Sequence, residues 1–243
     1  MFFIKKQQLY NLIFAVILLL SAVINFRPSF DVTETASPPV SGRVIVIDAG
    51  HGTPDGGAVG LSGTLEKDLN LEVAKSLGNF LEQSGAFVVY TRYDDNSIAD
   101  DLDKSIREIK RSDLNNRKNI KANSGADMFI SIHMNKFSDS QYKGAQVFYT
   151  QSSDESKVLA EKIQNKIKEI ADNTNVREAK SDNNSIFILK NSNIPSVVVE
   201  CGFLSNEEEE FKLKTKEYRD KIAFAVFAGI NDYLTRNWTR KNC

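Results

Sequence analysis

The sequence predicts an α/β fold: a single domain with a mostly parallel twisted sheet and helices on both faces, behind an N-terminal hydrophobic segment. Three observations predict it. Short β-branched runs alternate with stretches of helical periodicity along the chain. The strongest runs are apolar at successive positions, as strands covered on both faces are. Turn pairs such as Ser84-Gly85 and Ser124-Gly125 punctuate the helical stretches.

Residues 1–26 carry Lys5 and Lys6 ahead of the apolar run Leu12–Ile24. A basic front before about a dozen apolar residues fits a secretory signal. From Leu9 the run also reaches the roughly 17–20 residues of a membrane anchor. Signal peptide and uncleaved anchor both stay open, and either exports the rest of the chain. Residues 27–42, with Pro28, Pro38 and Pro39, read as a polar linker, so folding is expected to begin near Arg43.

Val44–Asp48 is the first predicted strand. Leu65, Leu69, Val73, Leu77 and Leu81 recur every four residues and predict a helix face ending at Ser84-Gly85. Phe87–Thr91 is a second strand. Residues 94–112 are charged and poorly periodic, which predicts a loop with a short helix, and a helix follows over Leu114–Asn123. Ala126–Ile132 and Gly144–Thr150 are the third and fourth strands. Val158, Leu159, Ile163, Ile167 and Ile170 mark another helix. Asp172–Asn184 is polar and reads as a flexible loop, and Ile186–Leu189 as a short strand. Ser196–Glu200 is the last strong strand. The acidic run Glu207–Glu210 suits a helix first turn. Ile222, Val226, Ile230 and Tyr233 form a final helix face. The domain is expected over residues 43–236, with residues 237–243 as a tail.

Beyond residue 27 the chain has 28 Lys+Arg against 32 Asp+Glu, a net charge of −4, which gives no footprint for nucleic acid. The cysteines are Cys201, at a strand end, and Cys243, in the polar tail, so a disulfide between them is not expected.

The chain has only two histidines, His51 and His133, and each follows an apolar strand. Parallel sheets bind ligands beyond the carboxyl ends of their strands. Glu200 ends the last strand, so all three are expected at one edge. A catalytic zinc takes three ligands from His and Asp/Glu. The third is best supplied by Glu66, in the first turn of the helix after the glycine-rich loop, with Asp55 and Asp68 as weaker candidates and Lys67 turned outward. Glu200, partly desolvated at the end of an apolar strand, suits a general base. A phosphate-binding reading of Gly50–Gly57 lacks the GKS/T and GxGxxG spacings. Cys201 as a nucleophile is disfavoured, because strand alternation turns it away from Glu200.

Ordered motifs then carry a family resemblance: Asp48-Ala-Gly-His-Gly52, Glu66-Lys67, Thr91-Arg92, Asn116-Arg117 through Ala122-Asn123, Gly125 to Asn135, and Val199 to Asn206. Together they resemble the zinc-dependent N-acetylmuramoyl-L-alanine amidases across residues 43–235. The resemblance implies one Zn²⁺ ion on His51, Glu66 and His133, Glu200 as the catalytic residue, and Asn135 as a substrate contact. It implies hydrolysis of the amide between N-acetylmuramic acid and L-alanine in peptidoglycan. Gln141–Phe148 and Glu200–Glu209, in a single domain behind one hydrophobic segment, are most similar to the germination-specific, spore-cortex (CwlD-type) branch. That likeness implies removal of cortex stem peptides so that muramic-δ-lactam forms, cooperation with a peptidoglycan deacetylase, and a lipoprotein activator. Thr53-Pro54 departs from the glycine that many members carry there, beside a ligand. The polar 172–184 loop and modest ligand set predict zinc held weakly until a partner orders the site. Two alternatives remain: a non-catalytic wall-binding protein that keeps the fold, and a zinc peptidase acting within the stem peptide.

Overall fold

Val44–Ala49 forms the first strand, β1, and its alternate side chains enter two separate cores. Ile45, Ile47 and Ala49 join one apolar cluster while Val46 joins another, so both faces are covered. The computed structural model describes residues 6–25 and 37–241. The remaining strands are β2 (Phe87–Tyr90), β3 (Met128–Asn135), β4 (Gln146–Tyr149), β5 (Lys180–Ser181) and β6 (Ser196–Phe203). They form one six-stranded sheet in the order β2-β1-β3-β6-β4-β5. All neighbouring pairs are parallel except β4 against β6. The mostly parallel sheet is therefore as expected. Because β2 and β3 flank β1 on opposite sides, the connections diverge there and open a crevice beyond the ends of β1 and β3.

Helices α2 (Glu66–Gln83), α4 (Asp154–Lys166) and α6 (Lys216–Lys241) supply Leu77, Leu159, Ile163, Val226 and Ile230 to the larger core, against Ile130, Ile132 and Val199 of the sheet. A π-helical turn, Ile167–Ala171, extends α4 and buries Ile167. The opposite face is covered by Ile120 of α3 (Ile106–Asn123) and by Ile188 and Leu189, which pack on Val46, Phe129 and Val198. Helix α5 (Glu207–Lys214) begins at the N-cap Asn206, whose side chain accepts from Glu209 N.

Helix α1 (Lys6–Asn25) forms a unit of its own, apart from the body that begins at Ser37. Among the described residues no helix is long and apolar enough to cross a membrane. Most of the expected linker lies outside the described residues, but its end does not. Val40 is fully buried and Gly42 N donates to Gly85 O, so the body starts before Arg43. At the other end α6 runs on to Lys241, beyond the expected boundary at residue 236; residues 242–243 lie outside the described set.

Three more expectations change. Residues 106–123 form one helix, started by a capping box between Ser105 and Glu108. Its inward positions, four residues apart, are Ile109, Asp113, Arg117 and Lys121. Three of the four are charged, so no hydrophobic period marks the helix. Ile186–Leu189 is not a strand: Phe187–Leu189 is a 3₁₀ turn that buries consecutive residues Ile188 and Leu189, which a strand would send to opposite faces. The 172–184 segment holds β5 and is pinned by polar groups: Asn175 Nδ2 donates to Ala145 O, and the Asp182 carboxylate accepts from Asn184 N and Ile186 N.

Candidate metal centre

His51 follows β1 in a loop built around glycines. Its φ is 63°, in the left-handed region that a residue with a Cβ occupies only when its surroundings hold it there. Two buried arginines supply that hold. Arg92 Nε donates to Ala49 O at 2.9 Å and its Nη2 to Gly50 O at 3.0 Å. Arg117 Nη1 donates to Ala49 O at 2.6 Å and its Nη2 to His51 O at 2.5 Å. Arg117 is itself held by the Asp48 carboxylate at 2.7 Å and by Asp113. Asp48 also accepts from Ser131 and Thr91. Burial disfavours the Asp48 anion, but Arg117 and the Ser131 hydroxyl outweigh it and lower its pKa.

The same loop caps α2. Glu66 N donates to Ala58 O and Lys67 N to Gly56 O, so loop carbonyls satisfy helix N–H groups that Leu65 has no side-chain oxygen to cap. This turns Glu66, 4% exposed, back over the sheet edge. Its Oε1 lies 2.9 Å from His133 Nδ1 and its Oε2 3.2 Å from His51 Nε2. Ala58 N and Met134 N donate to the same carboxylate, at 2.7 and 3.1 Å. The imidazole rings stand edge to face, 5.1 Å apart. His51 Nδ1 is 2.8 Å from Asp55 Oδ2, which leaves Nε2 facing Glu66. Lys110 pairs with the other Asp55 oxygen at 2.9 Å.

One ligand atom from each of His51, Glu66 and His133 lies within 4.8 Å of the other two. Two imidazoles and a carboxylate are a donor set that suits zinc. Close backbone approach makes room for it. A Cβ on Gly50 would fall 2.2 Å from the His133 ring, and one on Gly57 would fall 2.6 Å from Glu66 Oε2. Asp55 supports His51 instead of joining the three, and Asp68 is engaged by Lys67. Lys67, expected outside, is buried: Asp68 and Asp95 fix its ammonium and Arg92 takes its carbonyl.

Electrostatics follow the geometry. Burial works against a charged His51, but hydrogen bonds to Asp55 and Glu66 prevail and raise its pKa to about 9. Burial likewise opposes the Glu66 anion, and the two histidines overcome it, holding this carboxyl well below the usual carboxylate range.

Glu200 is opposite His133 in the β3–β6 register, on the same sheet face. It does not end its strand: β6 continues through an irregularity to Phe203, which pairs with Asn135. Such bulges re-aim side chains beside active sites. Glu200 is half-buried, and its Oε2 is sealed from solvent with no hydrogen-bond partner among the described residues. Burial, reinforced by Glu66, raises its pKa to about 7 against the pull of His133 and His51. Cys201 points into the opposite core, as alternation requires, and is a free thiol. Asn135 is half-buried at the end of β3, its Oδ1 accepting from Lys136 N. The cleft beside the histidines is lined by Asp55, Lys110, Leu114 and Ile188.

The sequence reading did not foresee the part played by Arg92, Arg117, Asp48 and Asp55. Two signals were present: arginines within otherwise unexplained motifs, and an aspartate four residues after His51.

Comparison with known proteins identifies the family. A family model described as N-acetylmuramoyl-L-alanine amidase matches residues 45–232. The germination-specific N-acetylmuramoyl-L-alanine amidase of Bacillus subtilis is 36% identical over 234 residues, covering 95% of this chain and 96% of that protein. The CwlD amidase of Clostridioides difficile, solved in complex with the GerS lipoprotein, superposes with a TM-score of 0.77 at 45% identity, over 79% of this chain and 98% of that one. An N-acetylmuramoyl-L-alanine amidase from Clostridium difficile 630 gives a TM-score of 0.69 at 32% identity, over 79% of this chain and 97% of that one. This chain belongs to the N-acetylmuramoyl-L-alanine amidase family.

Proposed function

We propose that this protein hydrolyses the amide between N-acetylmuramic acid and L-alanine in peptidoglycan, with one zinc ion held by His51 Nε2, Glu66 and His133 Nδ1. The observation that carries the reading is the unpartnered, sealed Oε2 of Glu200 on the sheet face that bears His133. Zinc in that donor set supplies Lewis acidity toward a carbonyl oxygen and acidifies water. The protein's own groups do the rest. Glu200, with a pKa of about 7, is matched to proton transfer near neutrality. It takes a proton from the attacking water and returns it to the departing L-alanine amine. Asp55 keeps the His51 ring oriented, and Asn135, two residues beyond His133 at the end of β3, contacts the substrate.

The similarity to germination-specific amidases supports a finer reading. The substrate is spore-cortex peptidoglycan, and removal of its stem peptides lets muramic-δ-lactam form in cooperation with a deacetylase. The protein acts outside the cytoplasmic membrane, delivered by residues 1–26 as a signal or retained by them as an anchor. A lipoprotein activator completes or steadies the zinc site.

Digestion of purified peptidoglycan followed by mass spectrometry tests the reaction. Intact stem peptides with a free L-alanine amino group are expected. Fragments cut within the stem, with L-alanine still on muramic acid, would replace the amidase with a peptidase. Cortex from cells lacking this protein is expected to lose muramic-δ-lactam, and unchanged lactam would remove the spore-cortex role.

A further inference from the structure

The acidic run Glu207–Glu210 suits the first turn of α5, but its last member does not face solvent. Glu210 is 3% exposed, and its carboxylate turns onto the segment between β1 and α2. Oε1 accepts from Ser62 Oγ at 2.7 Å and from Ser62 N at 3.1 Å, and Oε2 lies 3.1 Å from the same N–H. Gly60 permits this approach, since a Cβ there would fall 2.3 Å from Glu210 Oε1. Burial opposes the Glu210 anion, but hydrogen bonds from Ser62 and Thr64 outweigh it and lower its pKa.

Ser62 lies at the tip of a small hairpin. Val59 and Leu65 pair as an antiparallel bridge, and Gly60 N donates to Thr64 O at 2.8 Å. The base of the hairpin is the Glu66 site itself: Glu66 N donates to Ala58 O at 2.9 Å, and Ala58 N to Glu66 Oε2 at 2.7 Å. The tip has no apolar anchor, because Leu61 and Val59 are both exposed. Lysine contacts to it, from Lys136 Nζ to Val59 O and from Lys214 Nζ to Ser62 Oγ, are exposed as well. The contact with Glu210 is the one that is sealed on the α5 side.

Helix α5 is tied to the rest of the site by the preceding residue. Glu209, also buried, accepts from Phe203 N of β6 and from Gly144 N, both at 2.8 Å. One helix turn therefore joins the hairpin that leads into Glu66 to the strand that carries Glu200.

We infer that Glu210 is a positioning residue for Glu66: through Ser62 and the 59–65 hairpin it fixes where Ala58 N meets the Glu66 carboxylate, and with Glu209 it sets that carboxylate's place relative to Glu200. The inference rests on the zinc reading for what Glu66 holds. A ligating carboxylate keeps its orientation through the hydrogen bonds behind it. Glu210 acts one step further back, on the backbone that makes one of those bonds.

The test is the zinc affinity of the full chain, measured by competition with a chromophoric chelator, together with hydrogen exchange at Ala58 N in the metal-free protein. Glu210→Ala is expected to weaken zinc binding roughly 10-fold, the lower end of what loss of an outer partner of a metal ligand costs. It should also speed exchange at Ala58 relative to the amides of β3. Glu210→Gln keeps one oxygen for Ser62 and should lose less on both counts. Leu159→Ala, in the core under α4, is the control for simple destabilisation: it should lower the melting temperature and leave the zinc affinity of the folded chain unchanged. Wild-type zinc affinity in a folded Glu210→Ala chain would overturn the proposal, and so would an equal loss in Leu159→Ala. Should Glu210→Ala not fold, Glu210→Gln decides by the same two readouts. If the wild-type chain takes up no zinc, the zinc reading falls and Ala58 exchange decides alone: faster exchange in the variant upholds the hold of Glu210 on the hairpin, and unchanged exchange removes it.

Discussion

Glu200 and Gly50 carry the sharpest demands at the residue scale. Glu200 opposes His133 without being a member of the ligand cluster, so charge and proton transfer can be removed without removing metal binding. Glu200→Gln is expected to lower kcat by roughly 10²- to 10⁴-fold, the usual worth of a general base, with zinc content by elemental analysis unchanged. A variant that stays active would exclude Glu200 as the base. Gly50 acts by being small. Gly50→Ala would place a methyl group 2.2 Å from the His133 ring, and backbone and imidazole cannot both stay in place. Reduced zinc occupancy in a still-folded protein is expected, and wild-type occupancy would show that the ring has room to retreat. At this scale the sequence was informative about the cluster because histidine is rare here and both copies fall near the carboxyl ends of strands, His51 just after β1 and His133 among the last residues of β3. It was silent about support. Asp55 can be read as a ligand or as a partner to His51 with equal ease until the loop is seen to curl at His51.

Helix α3 shows at the element scale why a helix can escape detection. Hydrophobic periodicity registers apolar burial, whereas α3 buries Asp113, Arg117 and Lys121 at helical spacing. Asp113 and Arg117 form a polar scaffold that fixes the His51 loop, while Lys121 holds the carbonyl of Ile188. The strands and α2, which bury Leu, Ile and Val, were legible for the complementary reason. Arg117→Met should leave Asp48 and Asp113 buried without their cation and destabilise the protein by about 3–5 kcal/mol, the cost of breaking a buried pair. Urea unfolding measures it, and a change below about 1 kcal/mol would mean that the network is not coupled to folding.

Lys121 supplies a pH test on the same helix. Its ammonium donates to Ile188 O at 2.5 Å and lies 5.1 Å from the Phe129 ring. Burial, with help from nearby Lys118, lowers its pKa from 10.5 to about 8. Below about 8 both folded and unfolded chains hold the proton, and folding carries the full cost of burying the charge. Between about 8 and 10.5 the folded chain releases the proton first, so this residue's contribution to stability rises with pH. The stability difference between wild type and Lys121→Met is therefore expected to move in favour of wild type across that window. A difference independent of pH would mean that Lys121 titrates normally.

The arrangement of the whole molecule explains how residues far apart in sequence meet. β1 lies between β2 and β3, and β6 lies beside β3, so His51, His133 and Glu200 reach one sheet edge. Helix α2 returns to that edge with Glu66 in its first turn. This convergence was legible from strand order along the chain, because parallel strands present all their carboxyl ends together. The ends of the body were not. Val40 and the last turns of α6 follow proline-rich and polar stretches that carry no strong periodic signal of their own.

The central claim is that His51, Glu66 and His133 hold the zinc with which Glu200 hydrolyses the muramoyl–L-alanine amide. Its most direct measurement is the cleavage rate of a soluble muramoyl peptide by metal-stripped protein as zinc is added back. Activity is expected to be absent at the start, to rise in proportion to zinc bound, and to level off at a single equivalent per chain. Full activity in the stripped protein, or zinc bound to the same level by a His51→Ala/His133→Ala variant, would contradict it.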